Sequence, residues 1–240
     1  MKAIILSKSD YKEKNVIYNA INENGIFSFQ AKGAQSPNSP YVSLNIPLTV
    51  ADIELSEDGR YKHKLLKNVT LLIGLVNGND DLDKLLTISA IVELTSRCLD
   101  EEEAGALFTP LLQVVEALKL GKDPLLVTLI YVAKILKICG TELEVDKCVF
   151  CGSKEDIVNF SFAEGGFICR NCREEGMVSE FSPSQMKLIR YVFKSPDFTL
   201  KDSEKYTKED KKYLLGKLNE FIDDYLGVNI KSLYTVVRDL

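Results

Sequence analysis

Four of the six cysteines in this 240-residue chain fall in one stretch, CVFCGSKEDIVNFSFAEGGFICRNC, residues 148–172. They form two Cys-x-x-Cys pairs, Cys148/Cys151 and Cys169/Cys172, separated by seventeen residues. No other feature restricts the fold as tightly, because two pairs can share one tetrahedral cation only if the chain between them doubles back. That segment has the means to do so. Ile157–Phe162 reads as a strand, Glu164-Gly165-Gly166 as a turn and Phe167-Ile168 as the start of a second strand. The expected product is a zinc ribbon or knuckle, with Gly152 supplying a tight turn in which backbone amides face sulfur. Zinc is the expected metal, at Zn–S distances of about 2.3 Å, and four thiolates leave no open position, so its role is structural.

Three other uses of the cysteines compete with this one. Four free thiols in an apolar core is the bland one. A thioredoxin-type redox pair needs a βαβ context that neither pair has. A zinc deaminase needs an upstream His-x-Glu, and the only histidine, His63, lies in YKHKLL. Cys98 and Cys139, among Leu94, Leu99, Ile135 and Ile138, read as inert core residues at helix ends.

The chain before and after this knot has two textures. Residues 1–75 read as five strands, in KAIILS, VIYNAI, GIFSFQAKG, LTVADIELS and YKHKLLKNVTLL. Turn signals separate them at Glu23-Asn24-Gly25, across the loop from Gly33 to Pro47, and at Glu57-Asp58-Gly59. Five short strands with one long loop fit a small closed barrel, for which an OB-fold is the usual solution; an SH3-like barrel has a similar period. After Gly78 the apolar spacing becomes helical. Helices are expected over about 80–99, 104–120 and 124–139, the third capped by Asp123, opened by Pro124 and closed by Gly140. Ser182, Pro183 and Gln185 mark a capping box at the head of another helix. A last long helix covers about Lys208–Leu226, ended by Gly227.

The resulting expectation is an α+β multidomain protein. A five-stranded barrel occupies residues 1–75. A helical domain occupies 76–145 and 176–240, with a four-cysteine zinc-ribbon-like module inserted at 146–175.

Charge gives a direction for partners. The net charge is −5, yet residues 1–75 hold nine basic and seven acidic residues, against 21 and 28 in the remainder. A polyanion would therefore meet the N-terminal part. That part interleaves Lys8, Lys12, Lys14, Lys32, Arg60, Lys62 and Lys64 with Tyr11, Phe27, Phe29, Tyr41 and Tyr61. Lysines meet phosphates and aromatic faces stack bases, the combination single-stranded nucleic acid requires. Phe27 and Phe29 equally suit a barrel core. Lys187, Arg190 and Lys194 lie at helical spacing as a second basic stripe. No glycine-rich phosphate loop, carboxylate pair or Ser/His/Asp constellation is present, so no catalytic residue is expected. No apolar run reaches the ~20 residues of a membrane span and no signal peptide is evident, so a cytosolic protein is expected.

The chain resembles the RecO family of bacterial recombination mediators over nearly its full length. The resemblance rests on the opening KAIILSKSDYKEKNVIYNAINENGIFSFQAKGA, with Tyr11-Lys12-Glu13 and the Lys32-Gly33-Ala34 turn. It rests also on LTVADIEL after Pro47, and on the helix ending at Gly140 that leads through ELEVDKCVFCG into the cysteines. It implies an N-terminal OB-fold, a helical domain and a zinc module ligated by Cys148, Cys151, Cys169 and Cys172. It implies a non-enzymatic role in DNA repair by homologous recombination: binding single- and double-stranded DNA, annealing strands, working with RecR, contacting SSB and helping RecA load onto SSB-coated strands. A cytoplasmic, nucleoid-associated place follows. The chain departs from the family after Ala34, where QSPNSPYVSLN has no basic residue and many relatives carry several arginines. The alternative is a protein-interaction scaffold with a structural zinc and no DNA affinity, suggested by the acidic remainder.

Overall fold

The computed structural model describes residues 1–56, 64–75, 82–101, 103–141, 143–174, 176–201 and 203–239. The chain divides into two compact units, Met1–Lys122 and Asp123–Leu240.

In the first unit five strands close a barrel: Lys2–Tyr11 (β1), Asn15–Asn22 (β2), Gly25–Ala31 (β3), Val50–Ser56 (β4) and Lys64–Ile73 (β5). Their order around the barrel is β1-β2-β3-β5-β4, with β3 and β5 parallel and the other pairs antiparallel. That is the OB-type solution to the edge problem, since closure leaves no strand unpaired. The core is built from alternate positions of β2 (Val16, Tyr18, Ala20) together with Ala3, Ile5, Phe29 and Ile53. Tyr18 and Phe29 stack at 5.5 Å between ring centres.

The long loop between β3 and β4 is not a loose tether. It folds a 3-10 turn at Val42–Asn45 that sends Leu44 into the barrel core. Asn45 Oδ1 there accepts a hydrogen bond from the buried Tyr18 hydroxyl at 2.8 Å, which satisfies a polar group that burial would otherwise penalise.

Two helices complete this unit, Leu82–Arg97 (α1) and Phe108–Lys119 (α2). The helix expected from Ala104 starts later, because Glu103–Leu107 tightens into a 3-10 segment. Gly105 there lies so close to the β2–β3 turn that a Cβ would strike the Glu23 carbonyl. Pro110 falls in the first turn of α2, where its missing N–H costs nothing.

The second unit centres on Pro124–Ile138 (α3), whose residues are buried almost all round, as a helix inside a bundle must be. Pro183–Lys194 (α4) and Lys208–Leu226 (α5) pack on it, and Lys231–Asp239 (α6) packs on α5. Asp123 caps α3 through the Leu126 amide at 3.1 Å. Its other carboxylate oxygen accepts from Lys211 Nζ of α5 at 2.6 Å. The capping box at Ser182 and Gln185 is formed in both directions. The remaining strands, Ile157–Ser161 (β6) and Gly166–Cys169 (β7), make an antiparallel hairpin. Among the described residues no helix is long and apolar enough to cross a membrane.

Candidate metal centre and nucleic-acid surface

The hairpin does what the cysteine spacing requires. Register Ile157↔Cys169 and Ser161↔Gly166 folds the chain back on itself. Glu144, ahead of the first cysteine pair, bridges Gly166 and is held there by Glu144 N donating to Gly165 O at 2.8 Å and Phe167 N donating to Glu144 O at 3.0 Å. The knuckle itself is tightened by Gly152 N donating to Cys148 O at 2.9 Å, with Gly152 at φ +74°.

The four sulfurs consequently lie within 4.8 Å of one another. Cys151 and Cys169 are 3.6 Å apart, far beyond a disulfide at about 2.05 Å. It is close to the roughly 3.8 Å edge of a tetrahedron with 2.3 Å metal–sulfur bonds.

The surroundings favour thiolate at Cys148 and oppose it at Cys172. Burial pushes the Cys148 thiol up, but the amides of Cys169, Cys151 and Phe150 outweigh it together and bring it down to about 6. Cys172 is pushed up to about 12, first by its hydrogen bond with the Cys151 sulfur and then by burial. The donor set and spacing fit a closed four-sulfur metal site. Cys98 and Cys139 are half-buried and stand apart from it.

In the first unit, β1 and β2 are joined by a short hairpin whose turn residue Lys12 takes φ +56°. The turn following β3 is fastened to this tip. Gly33 N donates to Asn15 Oδ1 at 3.3 Å, Gln35 Nε2 donates to Asn15 O at 3.0 Å, and Gln35 N donates to Lys14 O at 3.4 Å. The exposed Lys12, Lys14 and Lys32 are thereby gathered at one end of the barrel. Lys64 opens β5 in register with Phe29, three residues before Lys32 on the neighbouring strand, about 10 Å along it. Lys8, also exposed, lies opposite Tyr18 further down the hairpin. Arg60, Lys62, Tyr61 and His63 lie outside the described residues.

The aromatic candidates separate by burial. Phe29 belongs wholly to the core, and Phe27 and Tyr41 pack against it half-buried. Tyr11 is half-buried at the hairpin tip with Lys12 Nζ 5.3 Å from its ring centre. On α4, Arg190 and Lys194 both engage Asp146, at 3.3 and 2.6 Å. Part of that stripe therefore holds the approach to the cysteine module in place.

Sequence reasoning did not find the residues that do the gathering, Asn15 and Gln35. Asn15 carries only the Asx-type preference for turns, and Gln35 carries no such signal. Nor did it find an aromatic groove beside the cysteine hairpin, assembled from Phe160, Phe162, Phe181 and Phe221.

A closed OB-type barrel, joined in one chain to a helical unit that carries a four-thiol hairpin, defines a multidomain α+β protein with a four-cysteine module that could hold a metal. Comparison with known proteins is consistent with that architecture. A family profile described as "Recombination protein O C terminal" matches residues 79–234. The "DNA repair protein RecO" of Halalkalibacterium halodurans is 25% identical over 233 residues, covering 96% of this chain and 91% of that protein. The proteins of the same name from Bacillus cytotoxicus and Bacillus subtilis are 27% and 26% identical, covering 97% and 96% of this chain and 94% and 91% of theirs. The chain belongs to the RecO family of DNA repair and recombination proteins.

Proposed function

We propose that this chain is a non-catalytic recombination mediator that grips DNA backbone at the Lys12/Lys14/Lys32 end of its barrel. The observation that carries the reading is the fastening of the β3 turn onto the β1–β2 hairpin, which converts lysines distant in sequence into one cationic end. Lys8 on β1 and Lys64 on β5 extend that surface, and Arg60 and Lys62 belong to the same proposal from the sequence. The barrel, residues 1–75, is the DNA-binding part, for single and double strands. The four-cysteine module, 146–175, holds a structural Zn2+ through Cys148, Cys151, Cys169 and Cys172. The helical parts, 76–145 and 176–240, serve partners.

Membership of the family supports the wider role: annealing strands and, with RecR, helping RecA load onto SSB-coated DNA in the cytoplasm, at the nucleoid. Such work needs no bond-making group. Holding two strands, or a strand and a protein, on one molecule raises their effective concentration.

The test is an anisotropy titration with labelled single-stranded DNA across a salt series. Replacing Lys12, Lys14 and Lys32 together by Ala should weaken binding and reduce the magnitude of the log K against log [salt] slope by about 2, three contacts at about 0.7 each. An unchanged slope contradicts the assignment. No binding even at low salt would favour the scaffold reading, which the acidic excess of residues 76–240 supports.

A further inference from the structure

The second unit carries a cavity of about 620 Å³ on the face shared by the cysteine hairpin and α5. Its floor is aromatic. Phe160 meets Phe181 edge-on at 5.4 Å, and Phe162 stacks on Phe221 at 5.0 Å. Its margins keep apolar groups in solvent: Val178 is 80% exposed and Tyr225 63%. An open aromatic-floored groove flanked by exposed apolar side chains is a recognition surface more often than an accident of packing.

The rim says what kind of side chain would fill it. Glu180, Glu220 and Asp224 line it with a single lysine, Lys217. Lys217 is shared between Glu220 at 3.0 Å and Glu180 at 3.7 Å. Asp224 has no ion pair among the described residues. It sits with Asp223 in the last turn of α5, which contains no basic residue. Acidic groups at a helix C-terminus oppose the macrodipole, where a cation is favoured. Three carboxylates thus share one lysine, and Asp224 stands at the end of an apolar groove with no counter-charge among the described residues. From Lys217 to Tyr225 the groove runs about 12 Å at 1.5 Å per residue, the reach of roughly four extended residues.

We infer that this groove docks a short segment of a partner protein in which an aromatic or branched aliphatic side chain is flanked by lysine or arginine. The apolar side chain occupies the aromatic floor and the cation meets Asp224 and Glu220. The inference is independent of DNA binding by the barrel, which lies in the other unit.

The test uses the 240-residue chain loaded with zinc and a fluorescein-labelled peptide of sequence Gly-Lys-Leu-Phe-Lys-Lys-Gly, read by anisotropy. Saturable binding is expected, at least tenfold tighter than for the same peptide with Glu at each Lys. Glu220→Lys with Asp224→Lys should reverse that preference. Val178→Ser with Tyr225→Ser should weaken the basic peptide at least fivefold, whereas Glu164→Lys, on the hairpin turn, should not. All substituted side chains are exposed, and circular dichroism with zinc content checks that each variant is folded. No saturation up to 1 mM, equal binding of both peptides, or indifference to the groove substitutions overturns the inference. So does a concentration-dependent dimer abolished by Tyr225→Ser, which would assign the groove to a second copy of the chain.

Discussion

Gly166 stands where β7 begins, at φ +156°, with the Glu144 carbonyl against the position a Cβ would occupy. Both the backbone angle and the close approach exclude a side chain. Gly166→Ala should therefore lower the unfolding free energy of the second unit by about 2 kcal/mol or more. Faster reaction of the hairpin thiols with a disulfide reagent would accompany it, and wild-type thiol kinetics would mean that the Glu144 approach does not hold the hairpin. In the barrel, burial and then the Asp10 carboxylate push the Tyr18 hydroxyl up to about 12. The unfolded chain ionises tyrosine near 10. Because the folded value is the higher one, the contribution of Tyr18 is complete below pH 10 and lost as pH rises towards 12. Tyr18→Phe should cost about 1 kcal/mol at neutral pH through the lost bond to Asn45. It should also shrink the drop in urea-unfolding stability between pH 10 and 12, and an equal drop in both proteins would count against it.

At the scale of elements, legibility in the sequence tracks local chemistry. The helix over Lys208–Leu226 was readable because Gly227 ends it in the left-handed conformation, and α4 because Ser182 and Gln185 cap it reciprocally. Ser182→Ala should cost about 1 kcal/mol in denaturant unfolding of the second unit; a loss below the error of the measurement would mean the box is redundant. The hairpin β6–β7 was readable from its glycine turn and its flanking cysteines. The helix α6 was not. Its segment KSLYTVVRD carries β-branched residues and no capping side chain at its start, and it is helical because Leu233 and Val236 bury themselves. The aromatic groove was illegible for a related reason, since Phe160, Phe181 and Phe221 come from three distant segments and only packing brings them together. The lysine cluster was half legible. Its members could be named, but Phe29, equally eligible as a stacking platform, proved to be core.

For the whole molecule, the two compact units separate two kinds of stability. The barrel is held by closure and by its own apolar core, whereas the cysteine module has a two-stranded sheet and four clustered sulfurs. On the proposed zinc assignment, chelating a zinc-loaded chain should expose four fast-reacting thiols and lower the thermal midpoint of the second unit, while the Tyr18 environment keeps its midpoint; a loss of both together would mean that the barrel depends on the metal. In the other unit, the β1–β2 tip and the β3 turn are proposed to form the DNA grip. Hydrogen exchange on the zinc-loaded chain, with and without a single-stranded oligonucleotide at low salt, tests it most directly. A DNA grip there slows exchange in residues 11–16 and 31–36 on binding and leaves the cysteine hairpin unchanged. Protection confined to residues 123–240, or none anywhere, would contradict it.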